Sequence, residues 1–244
     1  MVHKADPLTA LFQLAEAWFN QRLADGGPRY AEYHPDLIVV EPWNAASSIL
    51  MMIPAIYWFF KIKNNLKAKP FLVFAIAMVF LGGLGSTLFH AFRVSQVFLL
   101  MDVLPSAVLT LAIAVYFWLR ILNRWWYVLF IFIPVLFLRW VIFKELPNHI
   151  SINMSYAISG LLVIIPLLLF LVRSHYRKGI TVIYILIFFG LALLFRQLDV
   201  HSFALLPQGT HFLWHFFSAI GSYFILAYLF WIEGFQPDHF KDNS

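Results

Sequence analysis

The chain has 244 residues, of which 62% are hydrophobic and only 12% charged, with a mean hydropathy of +0.80 and a formal net charge of +5. A soluble domain of this size carries about 25% charged residues, so the composition excludes an ordinary water-soluble globule and points to a chain built for lipid. Cysteine is absent, which excludes disulfides, thiolate metal sites and a cysteine nucleophile and leaves His, Asp and Glu as metal ligands.

Residues 1–40 are mixed and polar. Within them, Pro7–Leu23 carries Leu8, Leu11, Phe12, Leu14, Ala15, Trp18 and Phe19 among polar residues, the pattern of a short amphipathic helix lying at a membrane interface. Asp25-Gly26-Gly27-Pro28 ends it. No secretory pattern opens the chain; the first long apolar run begins beyond Glu41, so the first span is expected to act as the targeting signal. Residues 41–234 then read as one seven-span helical bundle, followed by a polar tail, 235–244. The spans fall near 43–60, 70–92, 97–120, 125–143, 152–173, 180–197 and 211–232. Each is close to the ~20 residues that a ~30 Å hydrocarbon layer requires. Pro54, Pro105, Pro134 and Pro166 are compatible with helices in lipid, where neighbours satisfy the freed carbonyls.

The positive charge is distributed by loop, not gathered into a patch for nucleic acid. Lys61, Lys63, Lys67, Lys69, Arg120, Arg124, Arg173, Arg177 and Lys178 lie in one set of loops, against Arg93, Lys144 and Arg196 in the other. By the positive-inside rule this places the N-terminus outside and the C-terminus in the cytoplasm.

Polar groups inside spans are costly and mark candidate sites. They occur in four places: Glu41-Pro42-Trp43-Asn44 at the start of span one, Gly82 to His90 at the end of span two, Asp102 at the start of span three, and His211 with His215 at the start of span seven. In an up-and-down bundle these four lie at the same membrane face, the non-cytoplasmic one if the loop charges are followed. His211 and His215 are i and i+4, about 40° apart on one helix face, and Ser86 and His90 share the same spacing. His90, His211 and His215 therefore make a three-histidine zinc site, which leaves a fourth position for a water whose pKa falls towards ~7. Asp102 is the candidate general base and acid, and Ser86 the candidate hydrogen-bond donor to the water or oxyanion. Asp199 and His201 lie at the same face as rival ligands, and both read as supporting or structural residues. His3, His34, His149, His175 and His239 have no metal partner at suitable spacing.

These residues resemble the alkaline ceramidases and, more widely, the seven-span hydrolase superfamily that includes the adiponectin and progestin receptors. The matching text is Glu41-Pro42-Trp43-Asn44 with Ser47, Gly85-Ser86-x-x-Phe89-His90, Leu100-Met101-Asp102-x-Leu104-Pro105, and His211-Phe212-x-Trp214-His215 followed by Gly221-Ser222-Tyr223. Asp199 falls where the ceramidases place an aspartate near the end of span six. The resemblance implies zinc on the three histidines and hydrolysis of the ceramide amide to a sphingoid base and a fatty acid. The substrate would enter sideways from a bacterial inner membrane or an endoplasmic reticulum or Golgi membrane. It also implies Ca²⁺ before span one, where only Glu32 and Glu41 fall in register and Arg29 would repel a cation; calcium prefers six to eight oxygens. Val103 stands where ceramidases carry Glu. The alternative within the superfamily is a receptor with a structural zinc, for which the loop charges give the opposite orientation and a long cytoplasmic N-terminal domain is missing.

Overall fold

The computed structural model describes residues 23–199 and 206–234. The amphipathic segment Pro7–Leu23 (apart from Leu23), His201 and the tail 235–244 lie outside them. The described residues are helical, without a β-strand, in the order α1 (Pro42–Leu50), α2 (Met52–Ile62), a 3-10 turn (Leu66–Ala68), α3 (Pro70–Phe92), α4 (Gln96–Ile121), α5 (Tyr127–Glu145), α6 (Asn148–Arg173), α7 (Gly179–Leu198) and α8 (His211–Gly234). With α1 and α2 taken together, seven segments are long and apolar enough to cross a membrane. Phe130, Ile133 and Trp140 are among many large apolar side chains left well exposed, which is costly in water and not in lipid.

The first span is not one continuous helix. It breaks at Met51, whose own N–H caps α1 through the carbonyls of Ser48 and Ile49. Pro54 accounts for the break: it cannot donate to the carbonyl of Leu50 four residues back, and its ring crowds that group. Pro105, Pro134 and Pro166 sit inside unbroken helices, as expected.

The chain divides into two compact units. The described residues of one are those up to Arg29 with Ala107–Arg177; the other holds Tyr30–Ser106 with the described residues from Lys178 onward. In the first, Ala114, Val128 and Phe132 form a buried core with Trp118 and Leu162 against it. Arg139, a charge inside α5, is met by the Ser159 hydroxyl of α6 at 2.9 Å, so it is hydrogen-bonded within its unit.

In the second unit, α3 and α8 run antiparallel and are fastened where α3 begins. The Glu233 carboxylate accepts the N–H groups of Phe71 and Leu72, both at 3.0 Å, and Lys69 donates to the carbonyl of Phe230 at 3.0 Å. A carboxylate thus meets the positive end of one helix and an ammonium the negative end of the other.

Glycines set the spacing on the remaining faces of α3. A Cβ on Gly83 would meet Met51 and Met52 at the break in span one, and one on Gly85 would collide with the Met101 carbonyl and the Asp102 amide. Gly85 therefore lets the backbone of α4 lie directly on α3, beside Ser86. Gly85→Ala is expected to force the two helices apart at a cost of about 1–3 kcal/mol, and to displace Asp102 from Ser86. A fall in melting temperature larger than that seen for Gly82→Ala would show it, since a Cβ on Gly82 makes only an ordinary 3.8 Å contact.

Candidate metal centre

His90 ends α3, and His211 and His215 open α8. Their ring centroids are 5.2 Å (His90–His211), 4.9 Å (His90–His215) and 4.7 Å (His211–His215) apart. One ligand nitrogen from each lies within 4.8 Å of the others, and all three side chains are buried. Among the described residues this is the one group of three or more His, Asp or Glu placed to share an ion. Ser86 and Asp102 join the same cluster, so the fold brings together five of the residues that the sequence expects at one face.

The rings are held by partners that orient them. Val40 N–H donates to Ala91 O at 2.8 Å and Glu41 N–H to His90 O at 3.1 Å, which lays the start of span one along the end of α3. Glu41, fully buried, thereby faces the Nδ1 of His90 with one carboxylate oxygen and the Arg93 guanidinium with the other. On His215, Nδ1 meets the hydroxyls of Ser47 at 2.9 Å and Ser48 at 3.2 Å. Both hydroxyls donate to the carbonyl of Asn44, at 3.1 and 2.8 Å, so their oxygens face the ring as acceptors. That favours the tautomer with the proton on Nδ1 and leaves Nε2 for a metal. The buried Nδ1 of His211 has no hydrogen-bond partner among the described residues. A buried polar nitrogen left so is costly, and an ion shared by three imidazoles suits this donor set.

Ser86 bonds Ser48 at 3.0 Å and is also hydrogen-bonded to the Asp102 carboxylate. A chain of polar groups thus runs from Asp102 through Ser86 and Ser48 to His215. Ser48 was not singled out from the sequence; its signal was its place four residues after Asn44 on a face shared with Glu41. Tyr30 was also missed. It stacks on His211 at 4.0 Å and lies 5.1 Å from His90, and burial holds its phenol well above the ordinary value, so it stays protonated.

Asp199 lies near the site through the backbone. Its Oδ1 accepts the N–H groups of Thr210 and His211, each at 2.8 Å, and Oδ2 accepts that of Ala31 at 3.2 Å. It caps α8 from a distance and ties the Tyr30 segment to it, while a Cβ on Gly209, at φ 68°, would run into this carboxylate. Burial raises the Asp199 carboxyl, against the pull of those three donors. With the folded pKa above the unfolded one, this group's contribution to stability falls as pH rises from the ordinary carboxylate range through the raised value. Asp199→Asn keeps an oxygen for Thr210 and His211 and loses the bond to Ala31, whereas Asp199→Ala loses all three. Thermal melting should therefore rank wild type above Asn above Ala, the alanine costing about 0.5–2 kcal/mol as lost caps do; equal melting for all three would refute the capping role.

The pair named for calcium is otherwise engaged. Glu32 accepts the N–H groups of Trp43 at 2.6 Å and Asn44 at 2.8 Å, capping α1, and burial raises its carboxyl. Glu41 is taken by His90 and Arg93. No family model matches the sequence, and none of the curated proteins compared with it matches.

Proposed function

We propose that this chain is a zinc-dependent hydrolase of the membrane that cleaves the amide bond of ceramide or a similar long-chain N-acyl sphingolipid, releasing a sphingoid base and a free fatty acid. The observation that carries the reaction type is the buried convergence of His90, His211 and His215 with the Ser86–Asp102 pair beside them. The choice of substrate rests on the resemblance of the motifs around those residues to the alkaline ceramidases.

Zinc bound by three imidazoles supplies a water made acidic enough to attack at neutral pH. With zinc held by His90, His211 and His215, Asp102 would take a proton from the attacking water and give it to the departing amine. Ser86, whose one O–H is shared between Ser48 and Asp102, keeps the carboxylate turned to the site and would turn that O–H to the oxygen on which charge develops once Asp102 has taken up the proton. Glu41 and the Ser47–Ser48 pair hold His90 and His215 in register. The apolar helices around the cluster admit a lipid laterally, and loop charge favours a site at the non-cytoplasmic leaflet.

The test is fatty-acid release from acyl-labelled ceramide by the purified protein, stripped with a chelator and reloaded with zinc. Release that vanishes on stripping and returns with zinc supports the proposal. Absence of release from zinc-loaded protein over a panel of ceramides overturns it, and would favour the receptor alternative.

A further inference from the structure

Arg93 follows the last residue of α3 and adopts the left-handed conformation, φ 51° and ψ 34°. Glycine is the usual residue there because it has no Cβ to clash, so the backbone gives no reason for an arginine. The side chain does. It is buried, and its guanidinium pairs with one oxygen of Glu41. It lies over the ring of Phe89 at 4.4 Å from the centroid, with Tyr30 at 5.6 Å and Tyr33 at 5.7 Å. The other Glu41 oxygen meets His90 Nδ1 and the Asn44 side-chain amide, the latter at 3.4 Å.

We infer that Arg93 is a built-in cation that fixes Glu41 against His90, making Arg93 and Glu41 positioning residues for metal binding; this rests on the three-histidine reading of the site. A carboxylate with no exposure to solvent, set against an imidazole and an amide, is costly to bury unless an opposite charge meets it. The guanidinium, held among three aromatic rings, supplies that charge and fixes the orientation of Glu41. Glu41 then holds the proton on Nδ1 of His90 and leaves Nε2 as the donor to the metal. Such partners behind a ligand commonly change metal affinity 10–100-fold. The same guanidinium takes the face of Glu41 that a hard cation would need, so the site works without calcium.

The test is zinc affinity, measured on the purified full-length protein by competition with a chromophoric chelator. Arg93→Gly removes the guanidinium and suits the left-handed backbone; Glu41→Gln keeps an oxygen but not the charge. Both are expected to bind zinc about 10–100-fold more weakly. Added guanidinium ion should restore part of the affinity to Arg93→Gly and none to Glu41→Gln. Arg93→Lys should lose less than Arg93→Gly, and added Ca²⁺ should leave the wild type unchanged. If Arg93→Gly does not fold, the double variant with Glu41→Gln removes the unpaired buried charge; it is expected to fold and still bind weakly. Affinity within about twofold of wild type in the folded Arg93→Gly or the double variant overturns the inference. Wild-type protein that takes up no zinc overturns the three-histidine reading instead.

Discussion

Replacing His215 by alanine should abolish stoichiometric zinc binding and reduce lipid hydrolysis at least about a thousandfold, a barrier increase of about 4 kcal/mol. The position allows a sharp result because the ring is fixed in advance: Ser47 and Ser48 hold Nδ1, and the carbonyl of Asn44 holds both hydroxyls. Truncation thus leaves two imidazoles, with no other His, Asp or Glu group among the described residues placed to share an ion. The helical fold should survive, because the contacts that join α3 to α8 at Glu233 and Lys69 are untouched. Metal analysis and turnover on the same preparation decide it. Wild-type turnover in His215→Ala, or full activity in chelator-stripped protein, would eliminate the mechanism.

Asp102→Asn separates the metal from the proton. The amide preserves the shape of the side chain and still offers an oxygen to Ser86, but it cannot accept the proton of an attacking water. Zinc content should therefore stay at the wild-type level while kcat falls about 10²–10⁴-fold, the usual contribution of a positioned base, with little change in KM. A structural role for Asp102 predicts a different pattern, with lowered melting temperature and zinc loss accompanying any loss of rate. Parallel measurement of zinc content, melting and kcat distinguishes the two, and unchanged kcat would remove Asp102 from the reaction.

Hydrophobic run length located the helices well because lipid imposes one requirement on every span. The expected 70–92 and 211–232 became Pro70–Phe92 and His211–Gly234. Pro54 reads like the other internal prolines, yet the first span breaks three residues before it, at Met51; a continuous helix and a broken one have the same apolar composition. The three histidines and Asp102 were legible because burying such groups in lipid is costly and parity placed them at one face. Tyr30, Arg93 and Ser48 were not. Tyr30 sits in an irregular segment held by the Ala31 N–H donating to the Asp199 carboxylate, 168 residues away, which leaves no periodic trace. Arg93 read as a loop charge, and only the backbone bonds between Glu41 and His90 bring its carboxylate partner to it. The resemblance implies calcium at Glu32 and Glu41, whose oxygens are engaged here by helix capping and by an arginine.

The fastening of α3 to α8 at Glu233 and Lys69 bears on what an ion would contribute to the whole molecule. His90 lies at the far end of α3 from Pro70, about 30 Å away at 1.5 Å per residue. The helix pair is thus joined at one end by charges and at the other by three imidazoles, like a ladder with two distant rungs. An ion on the imidazoles would add the second rung, and its removal would leave the first. Zinc should then raise the melting temperature gradually with its free concentration, as mass action requires of a ligand for an already folded protein. It should not switch the chain between folded and unfolded states, as it does in small domains that zinc alone assembles.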